Sequence, residues 1–334
     1  MSGLVERTPE EIRRWGRHAH GSPLYAHLIE VIADDDELMR VVNRIEHTPR
    51  PNVLFGGVQY LLMGGASAEL AAFYPSLVDE PRPLVGVDRV FTRFVLEQEE
   101  ALVEIGQTRY TQTNECRRCV ALLPGIWESG PERFHLIDLG TSAGLNLAVD
   151  RYQYRWGDVE WGHPSGLLLT AESRGRAPEP KDTEVLSRTG LDLNPIDVSD
   201  EAERRWLDAL IWPEHHERRS RLRAALEVIS NVDVSMVAGS ALDTLGPTLA
   251  ALPAGDPAVV MHSFALNQFS PDQRHKVAAT IDEARDARRV HRVSYEFIDK
   301  EDDWARLSVD FGDGLVDVGQ GHPHGEWVEL YARP

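Results

Sequence analysis

The sequence predicts an α/β fold in which a helical N-terminal region precedes a doubly wound, parallel sheet. Three observations support this prediction. Residues from about Pro9 to Ile126 show helical spacing and none of the alternation typical of strands. The stretch PGIWESGPER then interrupts this pattern with two prolines and two glycines. After it, short apolar runs alternate with helical stretches, which is typical of a parallel sheet with helical crossovers.

The helical region contains clear start signals. In SPLYAHLIEVIADDDELMRVV, Ser22 and Pro23 occupy cap positions, and Leu24 and Leu28 follow at helical spacing. The stretch FTRFVLEQEEALVEIGQTRYTQTNECRRCVALL continues the pattern, although β-branched residues weaken its centre. We therefore predict a helical cap region over residues 1–130.

Residues 131–334 are predicted to form the sheet domain. Five short apolar runs indicate strands: FHLIDLG, EVLSRTGLDLNPIDV, VDVSMVAGSALDTL, PAVVMHSFAL and RRVHRVSYEFI. Helical stretches at Glu201–Ile229 and Pro271–Arg288 separate the later runs. The tail GLVDVGQGHPHGEWVELYARP predicts two more strands, as a hairpin on the sheet edge. Residues from about 151 to 185, rich in Gly, Trp, Pro and charge, indicate an insertion.

Composition argues against several classes of function. The 334-residue chain has a net charge of −19, which is unfavourable for binding a phosphate backbone. Its apolar runs are too short to span a bilayer, and its charged start lacks the apolar core of a signal peptide. Two cysteines cannot build a disulfide scaffold. We expect a cytoplasmic protein with a small-molecule substrate, no nucleic-acid or membrane partner, and an undetermined oligomeric state.

The first candidate site is the glycine turn in HLIDLGTSAGLNL. Asp138, Gly140, Ser142 and Gly144 lie between an apolar strand run and a helix-like run. Glycines at the first strand-to-helix turn of an open α/β sheet allow close approach of a ligand to the backbone, beside the free N–H groups of a helix. Glycine turns also arise for purely conformational reasons, so this turn alone does not identify a nucleotide site.

Two later strand ends carry groups that suit a nucleoside. Asp192 ends the second strand run, where a carboxylate can accept hydrogen bonds from both ribose hydroxyls. The third run ends in VAGSALD, where Ser240 or Asp243 would meet an adenine edge. Three successive strand ends with suitable groups are more specific than the glycine turn alone.

The motifs DLGTSAG, GLDLNP and VAGSALD resemble the first three nucleotide-contacting motifs of class I S-adenosylmethionine-dependent methyltransferases. The resemblance runs from about Phe134 to the C-terminus, interrupted by the insertion, and implies a Rossmann-like, methyltransferase-type sheet. The whole chain, through SPLY, QTNE, ALIWPE and HPHGEW, also resembles an uncharacterised actinobacterial family.

The methyltransferase resemblance implies S-adenosylmethionine as cofactor and assigns its contacts by position. The methionine end would be held by Asp138, Gly140, Ser142 and Gly144. The ribose would be held by Asp192, and the adenine would lie against Ser240 and Ala241. Two positions depart from the family pattern. Ser142 replaces the middle glycine, and Ser240 stands where many relatives carry Asp.

The polar stretch RYTQTNECRRC is a candidate substrate wall. A substrate pocket would be lined by Gln112, Asn114, Glu115 and Arg118, with Glu115 as a base or orienting group. The alternative is a solvated helix face on which Glu115 pairs with Arg118. The lone CxxC at Cys116 and Cys119 has no second pair, which favours free thiols in the core over a zinc site.

Histidines supply the remaining catalytic candidates. His262 and Ser263 end the fourth strand run, which in methyltransferases faces the transferred methyl, so His262 would act as general base and Ser263 would contact substrate. The alternative for His262 is a buried, hydrogen-bonded side chain. In GHPHGEW, His322 and His324 would share one strand face. Nothing completes a metal site there, and we expect His324 to contact substrate.

The insertion carries a dense aromatic cluster in DRYQYRWGDVEWGHPSG. Tyr152, Tyr154, Trp156 and Trp161 would form either a lid over a substrate or the small core of the insertion itself. The sequence does not separate these two interpretations.

The sequence favours a methyltransferase that acts on an unidentified small molecule. One alternative is a binding module that holds S-adenosylmethionine or a related nucleoside without transfer, which the substitutions at Ser142 and Ser240 favour. A weaker alternative is a serine hydrolase, because the turn GTSAG places Ser142 between a strand and a helix-like run.

Overall fold

The computed structural model describes residues 6–17, 21–297 and 303–332. It is a mixed α/β protein with a large, mostly parallel sheet and helices, as the sequence predicts at this level. Part of the N-terminal stretch on which the signal-peptide argument rests, residues 1–5 and 18–20, lies outside the described residues. Within the described ranges, none of the helices combines the length and apolar character that crossing a membrane requires.

The chain divides into two compact units. The first comprises Met1–Thr113 with Asp200–Arg223, and the second Asn114–Ser199 with Ala224–Pro334. The sequence places the start of the sheet domain at residue 131, whereas the last helix before the sheet already groups with the second unit.

The first unit is helical. Its N-terminal helices, and one helix from the later segment, are α1 (Pro9–Gly16), α2 (Pro23–Ala33), α3 (Asp36–Arg44), α4 (Arg50–Met63), α5 (Ala68–Ala71), α6 (Val87–Glu97), α7 (Glu99–Thr108) and α9 (Glu201–Ala209). The predicted cap is confirmed, since Ser22 accepts a hydrogen bond from the Tyr25 N–H and Pro23 begins α2. Leu24, Leu28 and other apolar residues of α2 are buried in the core of this unit.

The second unit contains an eleven-stranded sheet. Its strands are β1 (Arg133–Leu139), β2 (Gln153–Trp156), β3 (Val159–Trp161), β4 (Leu168–Gly175), β5 (Glu184–Asp192), β6 (Ser235–Ala238), β7 (Ala258–Ser263), β8 (Val290–Glu296), β9 (Ala305–Asp310), β10 (Leu315–Gly321) and β11 (Trp327–Leu330). The strand order is β3-β2-β4-β11-β10-β9-β8-β7-β1-β5-β6. The five strands predicted from apolar runs are β1, β5, β6, β7 and β8.

Those five strands are parallel neighbours in the order β6-β5-β1-β7-β8. The remaining helices are α8 (Cys119–Ser129), α10 (His216–Ile229), which spans the boundary between the units, α11 (Ala241–Ala251) and α12 (Pro271–Arg285). One face of the sheet buries an apolar cluster that includes Ile137 and Val260 from the strands with Leu245 and Ile281 from α11 and α12. Helix α8 packs on β8 and β9.

The tail forms the predicted hairpin, but its predicted position on the sheet edge is wrong. Strands β10 and β11 are antiparallel, and β11 pairs in parallel with β4 through Trp327 and Glu172. Strand β9, which the sequence did not predict, lies between β10 and β8 and pairs with both in antiparallel orientation. The insertion supplies β2, β3 and β4, and these strands extend the sheet beyond the hairpin, so that the tail lies inside the sheet.

The aromatic residues of the insertion belong to a core. Tyr152, Tyr154 and Trp156 are almost completely buried, and the rings of Tyr154 and Trp156 stack with centroids 5.0 Å apart. The hydroxyl groups of Tyr152 and Tyr154 donate to the carbonyls of Leu145 and Val149. Of the two interpretations left open by the sequence, this geometry matches the core and not the lid.

Three predicted helical stretches differ in the structure. The helix-like run after the glycine turn is a four-residue 3-10 turn, Leu145–Ala148. The stretch Glu201–Ile229 breaks around Pro213 into α9 and α10. The polar segment 109–115 is extended between α7 and the 3-10 turn Cys116–Arg118, so the alternative of a solvated helix face there is wrong.

Candidate functional site

The candidate site lies at the carboxyl ends of β1 and β7. From β1 the chain adds β5 and β6 on one side, and later adds β7 and β8 on the other. The strand order therefore reverses between β1 and β7. In open α/β sheets, ligands bind in the crevice at the carboxyl ends of the strands that flank such a reversal. Leu139 ends β1 and Ser263 ends β7.

The glycine turn after β1 is tightly constrained. Gly140, Ser142 and Gly144 all have positive φ angles of 74°, 51° and 74°. A Cβ atom on Gly140 would lie 2.5 Å from the Cβ of Ala265, so only glycine allows the turn to approach the loop after β7 this closely. Ser142 is a non-glycine residue in the left-handed region, which is uncommon and needs support from its neighbours.

Asn114 provides that support. Its Nδ2 donates to Ser142 Oγ over 2.9 Å, and its Oδ1 accepts from the Ala143 N–H over 3.1 Å. The amide orientation follows from the second bond, because a backbone N–H requires an acceptor. The sequence predicted Asn114 as a substrate contact, and the structure shows it holding the glycine turn.

Asp192 fixes the same turn from the end of β5. Its Oδ2 accepts from the Ser142 N–H and its Oδ1 from the Asn194 N–H, both over 2.8 Å. The side chain is half-buried. Each carboxylate oxygen has two lone pairs, so Asp192 can still accept hydrogen bonds from a ligand.

Asp138 is the most unusual ionisable group of the site. It is 1% exposed, and neither its Oδ2 nor the Oγ1 of neighbouring Thr141 has a hydrogen-bond partner among the described residues. Burial raises the pKa of Asp138 to about 7, against the opposing effect of the Thr141 hydroxyl. A buried polar atom without a partner is costly and is expected to find one in a ligand or water.

Glu115 and His324, far apart in the sequence, come together in the second unit. His324 Nδ1 lies 4.0 Å from Glu115 Oε2, and the side chain of His324 is 42% exposed whereas that of Glu115 is buried. Glu115 Oε1 also accepts from the Arg117 N–H, which caps the start of the 3-10 turn Cys116–Arg118. Arg118 Nε donates to the carbonyl of Pro323, which ties the HPHGEW turn to this segment.

Ser263 lies on the same side of the sheet as Asp138. Asp138 is in register with Met261, and alternate side chains of a strand share a face, so Ser263 follows Met261 on that face. Its Oγ accepts from Asn146 Nδ2 over 3.3 Å, and Asn146 Oδ1 accepts from the Cys119 thiol. Cys116 and Cys119 are both free and buried, as predicted for core thiols.

His262 lies on the opposite face of the sheet. It is 1% exposed, its Nδ1 lies 2.8 Å from Glu296 Oε1, and its Nε2 accepts from Arg292 Nε over 3.0 Å. Burial lowers the pKa of His262, against the opposing effect of Glu296. With both ring nitrogens engaged, His262 has the geometry of the buried, hydrogen-bonded histidine that the sequence left open as the alternative.

Three further predicted residues, Ser240, Ala241 and Gln112, lie outside the turn after β1. Ser240 caps α11, where its Oγ accepts from the Leu242 N–H, and Ala241 is buried at the start of that helix. Both follow the carboxyl end of β6. Gln112 belongs to the first unit. Among the described residues, no group of three or more His, Cys, Asp or Glu side chains is arranged to hold a metal ion.

Sequence reasoning missed several partners of these residues. Thr141 lies within the turn, between Gly140 and Ser142, and Asn146 is a polar residue between Leu145 and Leu147. Arg292 and Glu296 lie four residues apart on β8. The alternation of β8 places them on one face, which is the signal that could have identified them.

The turn also has the G-x-S-x-G spacing of a hydrolase nucleophile elbow, with Ser142 in a left-handed conformation. A full helix does not follow the turn, because only the 3-10 turn Leu145–Ala148 is present. Within the described ranges, the side chain of Ser142 is hydrogen-bonded to Asn114 and not to a histidine.

Comparison with known families gives one match. The sequence model of a family described as "Uncharacterized protein conserved in bacteria (DUF2332)" matches residues 9–330. No curated protein matches the chain. The resemblance of the whole chain to an uncharacterised family is therefore confirmed for a bacterial family, while its restriction to actinobacteria and the methyltransferase resemblance stay predictions.

Proposed function

Because the chain belongs to this uncharacterised bacterial family, its function has to be inferred from its own residues, and we propose that it is an S-adenosylmethionine-dependent methyltransferase acting on a small molecule. The observation that carries the proposal is the carboxyl group of Asp138. It is buried and has no described partner at Oδ2, and it is the penultimate residue of β1, at the reversal of strand order. The order β6-β5-β1-β7-β8 supports a doubly wound, methyltransferase-type sheet.

The residues of the site fit the cofactor at its methionine and ribose ends. The ammonium group of the methionine end would donate to Asp138 Oδ2 and thereby supply the missing partner. Asp192 would accept hydrogen bonds from the ribose hydroxyls through its remaining lone pairs. Ser142 and the glycines of the turn would lie against the methionine end, and Ser240 with Ala241 against the adenine.

When bound, the cofactor supplies a methyl group on a positively charged sulfur, already activated for displacement. The protein then has to orient the acceptor and remove its proton. We assign proton removal to His324, which is partly exposed and lies 4.0 Å from Glu115. The buried carboxylate of Glu115 would orient the imidazole and stabilise its protonated form. Ser263 and Asn146 border the same side of the sheet as Asp138 and would contact the acceptor.

A direct binding measurement tests this proposal. Isothermal titration calorimetry with S-adenosylmethionine and S-adenosylhomocysteine is expected to show binding of both at one site, with dissociation constants in the micromolar range or below. If neither compound produced heat of binding at millimolar concentration, the proposed function would be wrong. Asp286→Asn serves as a control, because Asp286 is an exposed acid at the end of α12, away from the carboxyl ends of the strands.

One observation favours the second candidate, a binding module without transfer. His262, the base suggested by the sequence, has both ring nitrogens engaged by Glu296 and Arg292. A module without transfer would give the same calorimetric result, but the wild type would transfer no methyl group from labelled cofactor to added small nucleophiles. Methyl transfer from labelled cofactor that disappears in His324→Ala would exclude this candidate.

The serine hydrolase remains the weaker candidate and rests on the left-handed Ser142 in its G-x-S-x-G turn. Labelling with a fluorophosphonate probe tests it. Stoichiometric modification of Ser142 would establish a nucleophile, whereas the hydrogen bond from Asn114 and the methyltransferase proposal predict an unmodified serine.

A further inference from the structure

A cavity opens on the face of the sheet on which His262 lies. It has a volume of about 250 Å³ and is bordered by β7, β8, β9, the start of α12 and the first residue of β10. We call it the arginine cavity and define it by its polar lining residues Arg274, Arg292, Ser294, Arg306 and Ser308. A water molecule takes about 30 Å³ of liquid volume, so the cavity has room for a small organic molecule.

Arg292 is the central group of the arginine cavity. It is 8% exposed, and its Nε donates to His262 Nε2 over 3.0 Å. Its two Nη groups form no hydrogen bond or ion pair with another residue of the described ranges. An arginine side chain stays charged in a protein, and a buried charge is costly unless it meets a partner. The remaining guanidinium donors are therefore free to bind an anion within the cavity.

The neighbouring carboxylate of Glu296 accepts four hydrogen bonds from the protein. Its Oε1 accepts from His262 Nδ1 and from the N–H groups of Ala265 and Leu266, and its Oε2 accepts from the Asn267 N–H. These bonds hold the loop that follows β7. They also fix His262 as a donor at Nδ1 and an acceptor at Nε2, which orients Arg292 through its Nε.

The charges of the lining favour a negatively charged ligand. Three arginines face a single acid, Glu296, among the described lining residues. Arg306 shares its charge with Asp317, whose Oδ2 lies 2.8 Å from Arg306 Nη1. Asp310, in register with Arg292, accepts from the N–H groups of Gly312 and Gly314 and forms an ion pair with Arg285, and its charge also acts on Arg292.

The apolar part of the lining limits the shape of the ligand. Leu266, Phe297 and Leu315 complete the wall. Guanidinium groups bind carboxylate and phosphate oxygens in pairs. The Ser294 hydroxyl can add a single hydrogen bond, whereas the Ser308 hydroxyl already donates to Asp317 Oδ1 over 2.7 Å. A compact anion with at most a short apolar portion could bind the arginine side chains and also contact the apolar residues of the lining.

We propose that the arginine cavity is a binding site for a small oxyanion, a phosphate or carboxylate group, held by Arg292 and oriented through His262. The site is separate from the proposed cofactor site, since His262 and Asp138 face opposite sides of the sheet. Its role would be to bind a small metabolite or effector, and it does not depend on the proposed methyl transfer.

Titration of the full chain with inorganic phosphate and, separately, with butyrate tests this inference at constant ionic strength. We expect at least one of the two anions to bind, and the preferred one assigns the chemistry as phosphate or carboxylate. Arg292→Met is expected to weaken binding by at least about tenfold, because it removes the charged donors. If neither anion binds at tens of millimolar, the proposal is wrong.

A second variant at the edge of the cavity, with a matched control elsewhere, tests the proposal if Arg292→Met does not fold. Arg274 is exposed at the start of α12, so Arg274→Gln is expected to fold normally and to weaken anion binding several-fold. Arg289→Gln removes an exposed charge near the amino ends of the strands and is expected to leave anion affinity unchanged. Equal affinity in the wild type and in Arg274→Gln would overturn the proposal.

Discussion

The Ser142 N–H donates a 2.8 Å hydrogen bond to Asp192 Oδ2, which joins the turn after β1 to the end of β5. The second oxygen of Asp192 accepts from the Asn194 N–H. One carboxylate therefore stabilises the turn and its own strand end while retaining lone pairs for a ligand. Stability and ligand binding are coupled at this position.

Asp192→Ala is expected to change both properties. Loss of its two bonds to backbone N–H groups should lower the free energy of unfolding by about 1–3 kcal/mol, and loss of the ribose contacts should weaken S-adenosylmethionine binding by about 1–3 kcal/mol. Chemical denaturation and calorimetry measure the two effects. Asp197→Ala is the matched control, because Asp197 also accepts from a backbone N–H, that of Ser199, but is exposed. Unchanged cofactor affinity in a folded Asp192→Ala variant would contradict the ribose assignment.

Asn114→Ala should destabilise the glycine turn. It removes the bonds to Ser142 and Ala143, and places alanine at a φ of 43°, so we expect a loss of about 2–4 kcal/mol in unfolding free energy. Asn114→Gly removes the same bonds but tolerates the positive φ. It should therefore be less destabilised than Asn114→Ala by roughly 1 kcal/mol. Equal, near-zero losses in both variants, measured by denaturant titration, would show that Asn114 does not support the turn.

Asp138 makes stability depend on pH. Its folded pKa of about 7 lies above the usual value of 3.8, so its contribution is full below about pH 4 and is lost as pH rises through 7. Asp138→Asn keeps the shape of the side chain but does not titrate. The unfolding free energy of Asp138→Asn relative to the wild type should rise between pH 5 and pH 8 by about 3 kcal/mol at most, because roughly two pH units separate pH 5 from the folded pKa. A pH-independent difference between the two proteins would rule out a buried, titrating Asp138.

His262 is expected to act on stability in the opposite direction. Its folded pKa is lowered by burial, so the folded protein loses stability as pH falls below the unfolded value of about 6.5. The amide of His262→Gln can donate to Glu296 and accept from Arg292 but cannot be protonated. Unfolding curves at pH 5 and pH 7.5 should show a smaller acid-induced loss for His262→Gln than for the wild type. An identical loss in both would indicate that His262 does not titrate in this window.

Local periodicity was sufficient to predict the helical N-terminal region and the five parallel strands. It did not predict the place of the tail hairpin, because β11 pairs with β4 through residues about 155 positions apart. Strands of the insertion as short as Val159–Trp161 carry little alternation to recognise. The position of such strands depends on their neighbours in the sheet.

The candidate site was predicted in part. Asp138, Asp192 and Glu115 could be predicted as site residues because each is polar and lies at a strand end or within an apolar stretch. All three lie in the second unit. The supporting role of Asn114 was not predictable, since its partners Ser142 and Ala143 lie in another segment of the chain. For His262 the sequence left a buried role open, and only the structure identified Arg292 and Glu296 as its partners.

Proton release on cofactor binding tests the central claim, that the carboxyl of Asp138 receives the cationic end of S-adenosylmethionine. At pH 6 Asp138 is mostly protonated, so pairing with an ammonium group should expel close to one proton per cofactor bound, and at pH 8.5 almost none. Calorimetry in two buffers of different ionisation enthalpy measures this number directly. The account predicts that Asp138→Asn binds more weakly and releases no proton at pH 6, whereas Asp286→Asn behaves as the wild type. Absence of binding in the wild type, or proton release that persists in Asp138→Asn, would contradict it.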